Sequence, residues 1–126
     1  MKWSNGTMYE GDFDEDVRQG QGKYVWPNQC TYEGGWENGK RAGWGKITYP
    51  DGSSYEGSFK ANLKDGNGVF KFADGSVYTG NWKDDLKHGR GTFTWSDGQK
   101  FVGEFNRGES GPGILTTAEG QTREVQ

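Results

Sequence analysis

An aromatic-x-Gly-x-aromatic motif recurs every 23 residues in this chain, and that recurrence restricts its fold more than any other feature. Tyr9, Tyr32, Tyr55, Tyr78 and Phe101 open five such motifs: Tyr9-Gly11-Phe13, Tyr32-Gly34-Trp36, Tyr55-Gly57-Phe59, Tyr78-Gly80-Trp82 and Phe101-Gly103-Phe105. Each is followed by a spaced glycine pair, namely Gly20/Gly22, Gly43/Gly45, Gly66/Gly68, Gly89/Gly91 and Gly111/Gly113. In the first four units a second ring or aliphatic pair comes next (Tyr24/Trp26, Ile47/Tyr49, Phe70/Phe72, Phe93/Trp95), then a turn such as Asp51-Gly52, Asp74-Gly75 or Asp97-Gly98. Complete units span 9–31, 32–54, 55–77 and 78–100, a fifth, one residue shorter, spans 101–122, a partial unit occupies 1–8, and 123–126 reads as a polar tail. A period of this length means one supersecondary unit stacked on copies of itself.

Within a unit the spacing is two. Tyr32, Gly34 and Trp36 alternate with Glu33 and Gly35, and Gly43, Gly45, Ile47 and Tyr49 alternate with Trp44, Lys46 and Thr48, so each unit is two strands. A six-residue polar loop, 37–42, is expected between them, setting Trp36 opposite Gly43, Gly34 opposite Gly45 and Tyr32 opposite Ile47. The second connection is decided by parity. A two-residue turn at Asp51-Gly52 would throw the next unit's rings to the other face, whereas a three-residue loop, Pro50-Asp51-Gly52, keeps them together by pairing Tyr49 with Ser53 and Ile47 with Tyr55. Pro suits the first central position of a type I turn, and Gly the left-handed residue after it. The first unit carries Asn28-Gln29 instead, putting Gln29 in the left-handed position at roughly 1 kcal/mol.

The expected fold is therefore all-β: an elongated, single-layer antiparallel meander with its rings on one face. Strands lie about 4.8 Å apart, so each unit advances roughly 10 Å and the array roughly 50 Å. The opposite face, with Glu10, Lys23, Glu33, Lys46, Glu56 and Thr79, is polar. Only 29% of the residues are hydrophobic, too few for a closed aliphatic core, yet six Trp, six Tyr and seven Phe exclude an ordinary disordered composition.

Y-x-G-x-W, a polar loop, G-x-G and a D-G turn, repeated in register along nearly the whole chain, resemble the MORN (membrane occupation and recognition nexus) family. The resemblance implies a scaffolding module of the kind seen in cytoskeletal, ciliary and membrane-junction proteins, or an accessory segment beside a catalytic domain such as a lipid kinase or a SET methyltransferase. It implies no catalysis by the repeats. The fifth unit departs from the pattern: it is shortened and has Thr117 in place of a ring, as a capping repeat would.

Charge and motifs narrow the function further. A net charge of −3 with scattered basic residues gives no footprint for nucleic acid. The single Cys30 fits a reducing compartment, and no apolar run or secretory leader before Trp3 directs the chain to a membrane or outward. A cytoplasmic setting is expected, with attachment to cytoskeleton or membrane a further implication of the family; the Asn5-Gly6-Thr7 sequon is then unused. The start within a unit suggests a piece of something longer. Asp12-x-Asp14-x-Asp16 imitates a calcium loop but has Val17 at its sixth and Lys23 at its twelfth position. The glycine pairs lack the third glycine and helix of a nucleotide fingerprint, and His88 has no cysteine cluster or nucleophile to work with. No metal, cofactor or enzymatic activity is expected.

Three candidate surfaces follow. The first is a partner-binding groove lined by Tyr9, Phe13, Tyr32, Trp36, Tyr49, Tyr55, Phe59, Phe72, Tyr78, Trp82, Trp95, Phe101 and Phe105, rings that a single layer leaves half covered. It would take a protein partner's helix or peptide, or a second copy of the chain as a homodimer. The second is a basic ladder on a loop rim, Arg18, Arg41, Lys64 and Lys87, suited to anionic phospholipid headgroups. The third is Trp44, an anchor projecting from the polar face, where Val102 and Ile114 add apolar character towards the C-terminus. Val17, Leu63 and Leu86 are expected to pack from loop tips onto the neighbouring unit.

Overall fold

The computed structural model describes residues 6–15 and 17–126. The opening of the partial unit, with Trp3 and Asn5, and the third aspartate of the calcium-like triplet, Asp16, lie outside the described residues. Among the described residues, eleven strands form one open sheet in strictly sequential order. They are β1 (Met8–Asp14), β2 (Val17–Val25), β3 (Thr31–Glu37), β4 (Lys40–Thr48), β5 (Ser54–Lys60), β6 (Leu63–Lys71), β7 (Val77–Lys83), β8 (Leu86–Thr94), β9 (Lys100–Asn106), β10 (Glu109–Thr116) and β11 (Thr122–Val125). All pairings are antiparallel, as expected of a hairpin meander. Residues 123–126 are not merely a tail, because most of them belong to β11, which pairs with β10.

Parity holds from end to end. Tyr9, Tyr24, Tyr32, Ile47, Tyr55, Phe70, Tyr78, Phe93, Phe101 and Leu115 face one another in a single cross-strand row. Beside it runs a row made only of glycine: Gly11, Gly22, Gly34, Gly45, Gly57, Gly68, Gly80, Gly91, Gly103 and Gly113. The loop after each second strand is the three-residue form: Tyr49 N–H donates to the Ser53 carbonyl at 2.9 Å, and Gly52 N–H to the Tyr49 carbonyl at 3.1 Å. Gly52 is left-handed (φ +92°), and Gln29 takes the same conformation (φ 74°) in the first unit. Asp51 accepts hydrogen bonds from the Ser53 hydroxyl and N–H, and Asp74 and Asp97 from the Ser76 and Gln99 N–H groups, which holds the three carboxyls below the ordinary aspartate value.

The first connection differs from expectation. The six-residue loop 37–42 is a two-residue turn: Glu37 pairs with Lys40 around Asn38-Gly39, both with positive φ (52° and 79°). Trp36 then faces Arg41, not Gly43, while Gly34 still faces Gly45. The difference is absorbed by a bulge in β4 that recurs in the first four hairpins, with the first glycine of each pair (Gly20, Gly43, Gly66, Gly89) in the left-handed region. A bulge adds residues to one strand and preserves the pairing on either side of it. The same turn is Ala61-Asn62 in the third unit, where Ala61 sits at φ 49° without glycine's freedom. Ala61→Asn is expected to raise stability by about 0.5–1 kcal/mol, read as a higher urea midpoint at unchanged slope, because Asn adopts this conformation more readily.

Candidate functional site

The ring face is two surfaces in one. Tyr9, Tyr32, Tyr55 and Tyr78 are fully buried, and Trp36, Phe59, Trp82, Phe101 and Phe105 nearly so. A single layer achieves this because each opening ring lies down over the glycine row. A methyl group placed on Gly22, Gly45, Gly68 or Gly91 would stand 2.2–2.3 Å from the hydroxyl oxygen of Tyr9, Tyr32, Tyr55 or Tyr78 respectively. Each hydroxyl donates past that glycine to a backbone carbonyl at the bulge: Tyr9 to Asp12, Tyr32 to Gly35, Tyr55 to Ser58 and Tyr78 to Asn81, at 2.8–3.0 Å. The flattened ring is then met edge-on by the second aromatic of the next unit, at centroid distances of 5.0–5.5 Å for Tyr9–Trp36, Tyr32–Phe59, Tyr55–Trp82 and Tyr78–Phe105. Edge-to-face pairs of this kind contribute about 0.5–1.5 kcal/mol each beyond burial. The expected half-covered rings are thus the exception among opening residues, since contact across two strands buries them.

What stays open is the set of rings on the even strands and in the loops beside them, together with Phe13 on β1 at the edge of the sheet. Tyr24, Trp26, Tyr49, Phe70, Phe72 and Phe93 are partly buried against the core, while Trp95 and Phe13 are about two-fifths exposed. Of the thirteen groove residues read from the sequence, Phe13, Tyr49, Phe72 and Trp95 therefore present surface, and the others hold the sheet together.

The basic ladder is not on a rim. The bulge and the short turn carry Arg18, Arg41, Lys64 and Lys87 into β2, β4, β6 and β8, opposite Phe13, Trp36, Phe59 and Trp82, and so onto the ring face. Each cation is seated among three rings: Arg18 over Tyr9, Tyr24 and Trp36; Arg41 over Trp26, Tyr32 and Phe59; Lys64 over Tyr55, Phe70 and Trp82; Lys87 over Phe72, Tyr78 and Phe93, all at 4.8–5.9 Å from the centroids. Ring quadrupoles attract such cations, more strongly where water is excluded. Three cations also reach the next unit's turn. Arg18 donates to the Gly39 carbonyl (3.0 Å), Arg41 to the Asn62 carbonyl (2.7 Å), and Lys64 lies 3.6 Å from the Asp85 carboxylate. Behind them, Gly39, Asn62, Asp85 and Gly108 N–H groups donate to the carbonyls of Arg18, Arg41, Lys64 and Lys87 at 2.8–3.0 Å. Burial holds the Lys64 and Lys87 ammonium pKa values below the ordinary lysine value.

Sequence reasoning missed this seating, although Asn38-Gly39 is the dipeptide most characteristic of a two-residue hairpin turn. Taking that turn at face value would have moved Arg41 into a strand. Val17 and Leu86 start strands rather than tipping loops, and each lies against the next unit's turn glycine, Gly39 and Gly108. Leu63 likewise begins β6 and is exposed. Trp44 projects from the polar face opposite Ser58 and is 58% exposed. On that face Glu10, Lys23, Glu33, Lys46 and Glu56 alternate in sign from strand to strand, whereas Val69, Val102 and Ile114 make its C-terminal half more apolar.

Among the described residues no cluster of three or more His, Cys, Asp or Glu side chains could hold a metal ion, and no helix is long and apolar enough to cross a membrane. No curated protein resembles the chain closely enough to be matched. Among solved structures, the fold is similar to the TCP domain of Drosophila melanogaster SAS-4 (dCPAP), held in complex with a proline-rich motif of Ana2 (dSTIL): TM-score 0.57, 18% identity, 86% of this chain and 60% of that one. The TCP10 domain of Danio rerio CPAP matches with TM-score 0.33 and 15% identity over 99% of this chain and 70% of that one. The sequence matches the MORN repeat description over five consecutive stretches, 9–31, 32–54, 55–77, 78–100 and 101–122. With that match running over most of its length, the chain belongs to the MORN-repeat family.

Proposed function

We propose that the chain is a non-catalytic protein-interaction scaffold whose open ring strip takes an extended segment of a protein partner. The observation that carries this reading is the row of half-open rings, Trp26, Tyr49, Phe72 and Trp95, flanked on the same face by the four seated cations. Such a face suits a peptide that brings apolar side chains to the rings and carboxylates to the cations. The pitch supports an extended segment. One repeat is two strand spacings, about 9.6 Å, and one turn of a polyproline helix is three residues or about 9.3 Å. A three-residue peptide period therefore stays in step with the array. The Drosophila TCP domain of similar fold is held with a proline-rich motif, which agrees with this choice. The cations lie among half-open rings whose apolar surface a layer of lipid headgroups would not match, so the headgroup reading is the weaker one.

The test uses a labelled twelve-residue peptide with proline at every third position and one leucine and one glutamate per turn. Anisotropy should report salt-sensitive binding to the wild-type chain. It should be lost in a Phe72→Ser/Trp95→Ser variant that keeps the wild-type circular dichroism. Equal binding of the peptide with lysine in place of glutamate would overturn the reading.

A further inference from the structure

The cation seat repeats four times and then stops. At the equivalent place in the fifth unit, opposite Phe105 as Lys87 is opposite Trp82, stands Ser110. Two of the three rings that would surround a cation there are present, since Phe101 opens the unit and Trp95 precedes it as Phe72 precedes Lys87, while Leu115 stands opposite Phe101 as Phe93 stands opposite Tyr78. With only a hydroxymethyl group to fill the seat, a cavity of about 350 Å³ remains, lined by Trp95, Phe101, Phe105, Ser110, Leu115 and, at its rim, Arg123. Arg123 faces Leu115 across β10–β11, is exposed, and among the described residues is seated over no ring.

We propose that this cavity is an anchor pocket for an apolar side chain of the partner whose neighbouring carboxylate pairs with Arg123. The inference deepens the scaffold reading by assigning one subsite on its face. The volume exceeds what a lysine stem would occupy, the walls are ring and aliphatic carbon, and the one charge on the pocket is positive. A cation brought in from outside would find the rings but would also meet Arg123, with no carboxylate among the lining residues to offset it. An aromatic or large aliphatic group beside a carboxylate matches both walls and charge.

The probes are three small compounds titrated into the ¹⁵N-labelled full chain: N-acetyl-phenylalaninate, its neutral amide, and phenethylammonium. Backbone amide shifts should appear at Phe101, Ser110 and Val125, largest for the carboxylate. Ser110→Lys rebuilds the seat from within and should weaken that response about tenfold, because the open state becomes a minor one. Its melting temperature should not fall. Arg123→Gln, at an exposed position, should abolish the preference for the carboxylate over the amide while leaving amide binding intact. The proposal is overturned if Ser110→Lys leaves the shifts unchanged, if Arg123→Gln leaves the preference unchanged, or if phenethylammonium binds best. Fragment binding with no peptide binding would sink the scaffold reading and spare the pocket; the converse would do the opposite.

Discussion

Replacing Tyr55 by alanine is expected to remove about 3–5 kcal/mol of folding stability, the range seen when a large buried ring is cut back to a methyl group. Three losses coincide at this residue. The ring is fully buried, and its edge-to-face contacts with Phe59 and Trp82, at 5.2 and 5.3 Å, tie the third unit to the fourth. Its hydroxyl donates to the Ser58 carbonyl at 2.9 Å. The seat of Lys64, 5.6 Å above the ring, would lose one wall. Tyr55→Phe should separate these contributions. It keeps the ring and gives up one hydrogen bond, at about 1 kcal/mol. Phe101 shows that the position accepts a ring without a hydroxyl, because it still lies over Gly113, whose added methyl would stand 2.5 Å from its tip. Urea denaturation of the three proteins measures both differences. A loss below about 1 kcal/mol for Tyr55→Ala would mean that ring burial does not hold the repeats in order.

The second large effect is alkaline. Burial pushes the phenols of Tyr32 and Tyr78 up to about 12, and that of Tyr55 further still, from an ordinary value of 10.0. A group whose folded pKa is raised contributes stability that is fully present below the unfolded value. That contribution is lost as pH rises through the folded value. For these tyrosines the window runs from about pH 10 upwards through about 12. Lys64 and Lys87 act in the opposite sense, since their folded values are lowered by burial and their deprotonation relieves an unfavourable charge. Raised tyrosines outnumber them, Tyr9 and Tyr49 being shifted upwards as well. Net stability should therefore fall above pH 10. Absorbance at 295 nm should show the buried tyrosines ionising together with loss of the circular dichroism signal. Independent titration of Tyr32, Tyr55 and Tyr78 near pH 10 in a protein that stays folded would contradict the burial.

Much of this fold is written in the sequence because a period of two admits only two faces. The three-residue loop at Pro50-Asp51-Gly52 follows from the need to keep Ile47 and Tyr55 on one side, and the left-handed Gln29 follows from the same loop. What escaped was local backbone irregularity. Counting residues through 37–42 as if every strand were regular sets Trp36 against Gly43; the bulge that frees Gly43 and hands Trp36 to Arg41 shows in the sequence only as a glycine pair that has two roles. One glycine bends the strand, and the other receives a ring. The site was misplaced for the same reason. A basic residue assigned to a loop tip belongs to a strand once the turn is two residues long, and it then lies over the rings. The degree of burial was hidden too, because it depends on Tyr9 reaching Trp36 two strands away, a contact that pairwise register does not reveal.

All of these statements depend on opening rings locked against bare glycine backbone, which leaves the remaining rings free for a partner. A double-mutant cycle on Tyr55 and Gly68 tests that lock directly. Gly68→Ala alone should cost about 2–3 kcal/mol, since its methyl would stand 2.2 Å from the Tyr55 hydroxyl and 2.4 Å from ring carbons held on both sides. In the Tyr55→Ala background the same substitution should cost almost nothing, for a coupling of about 2 kcal/mol. Additive costs in the two backgrounds would show that the ring does not rest on this glycine, and the division of the face into a locked core and an open strip would fall with it.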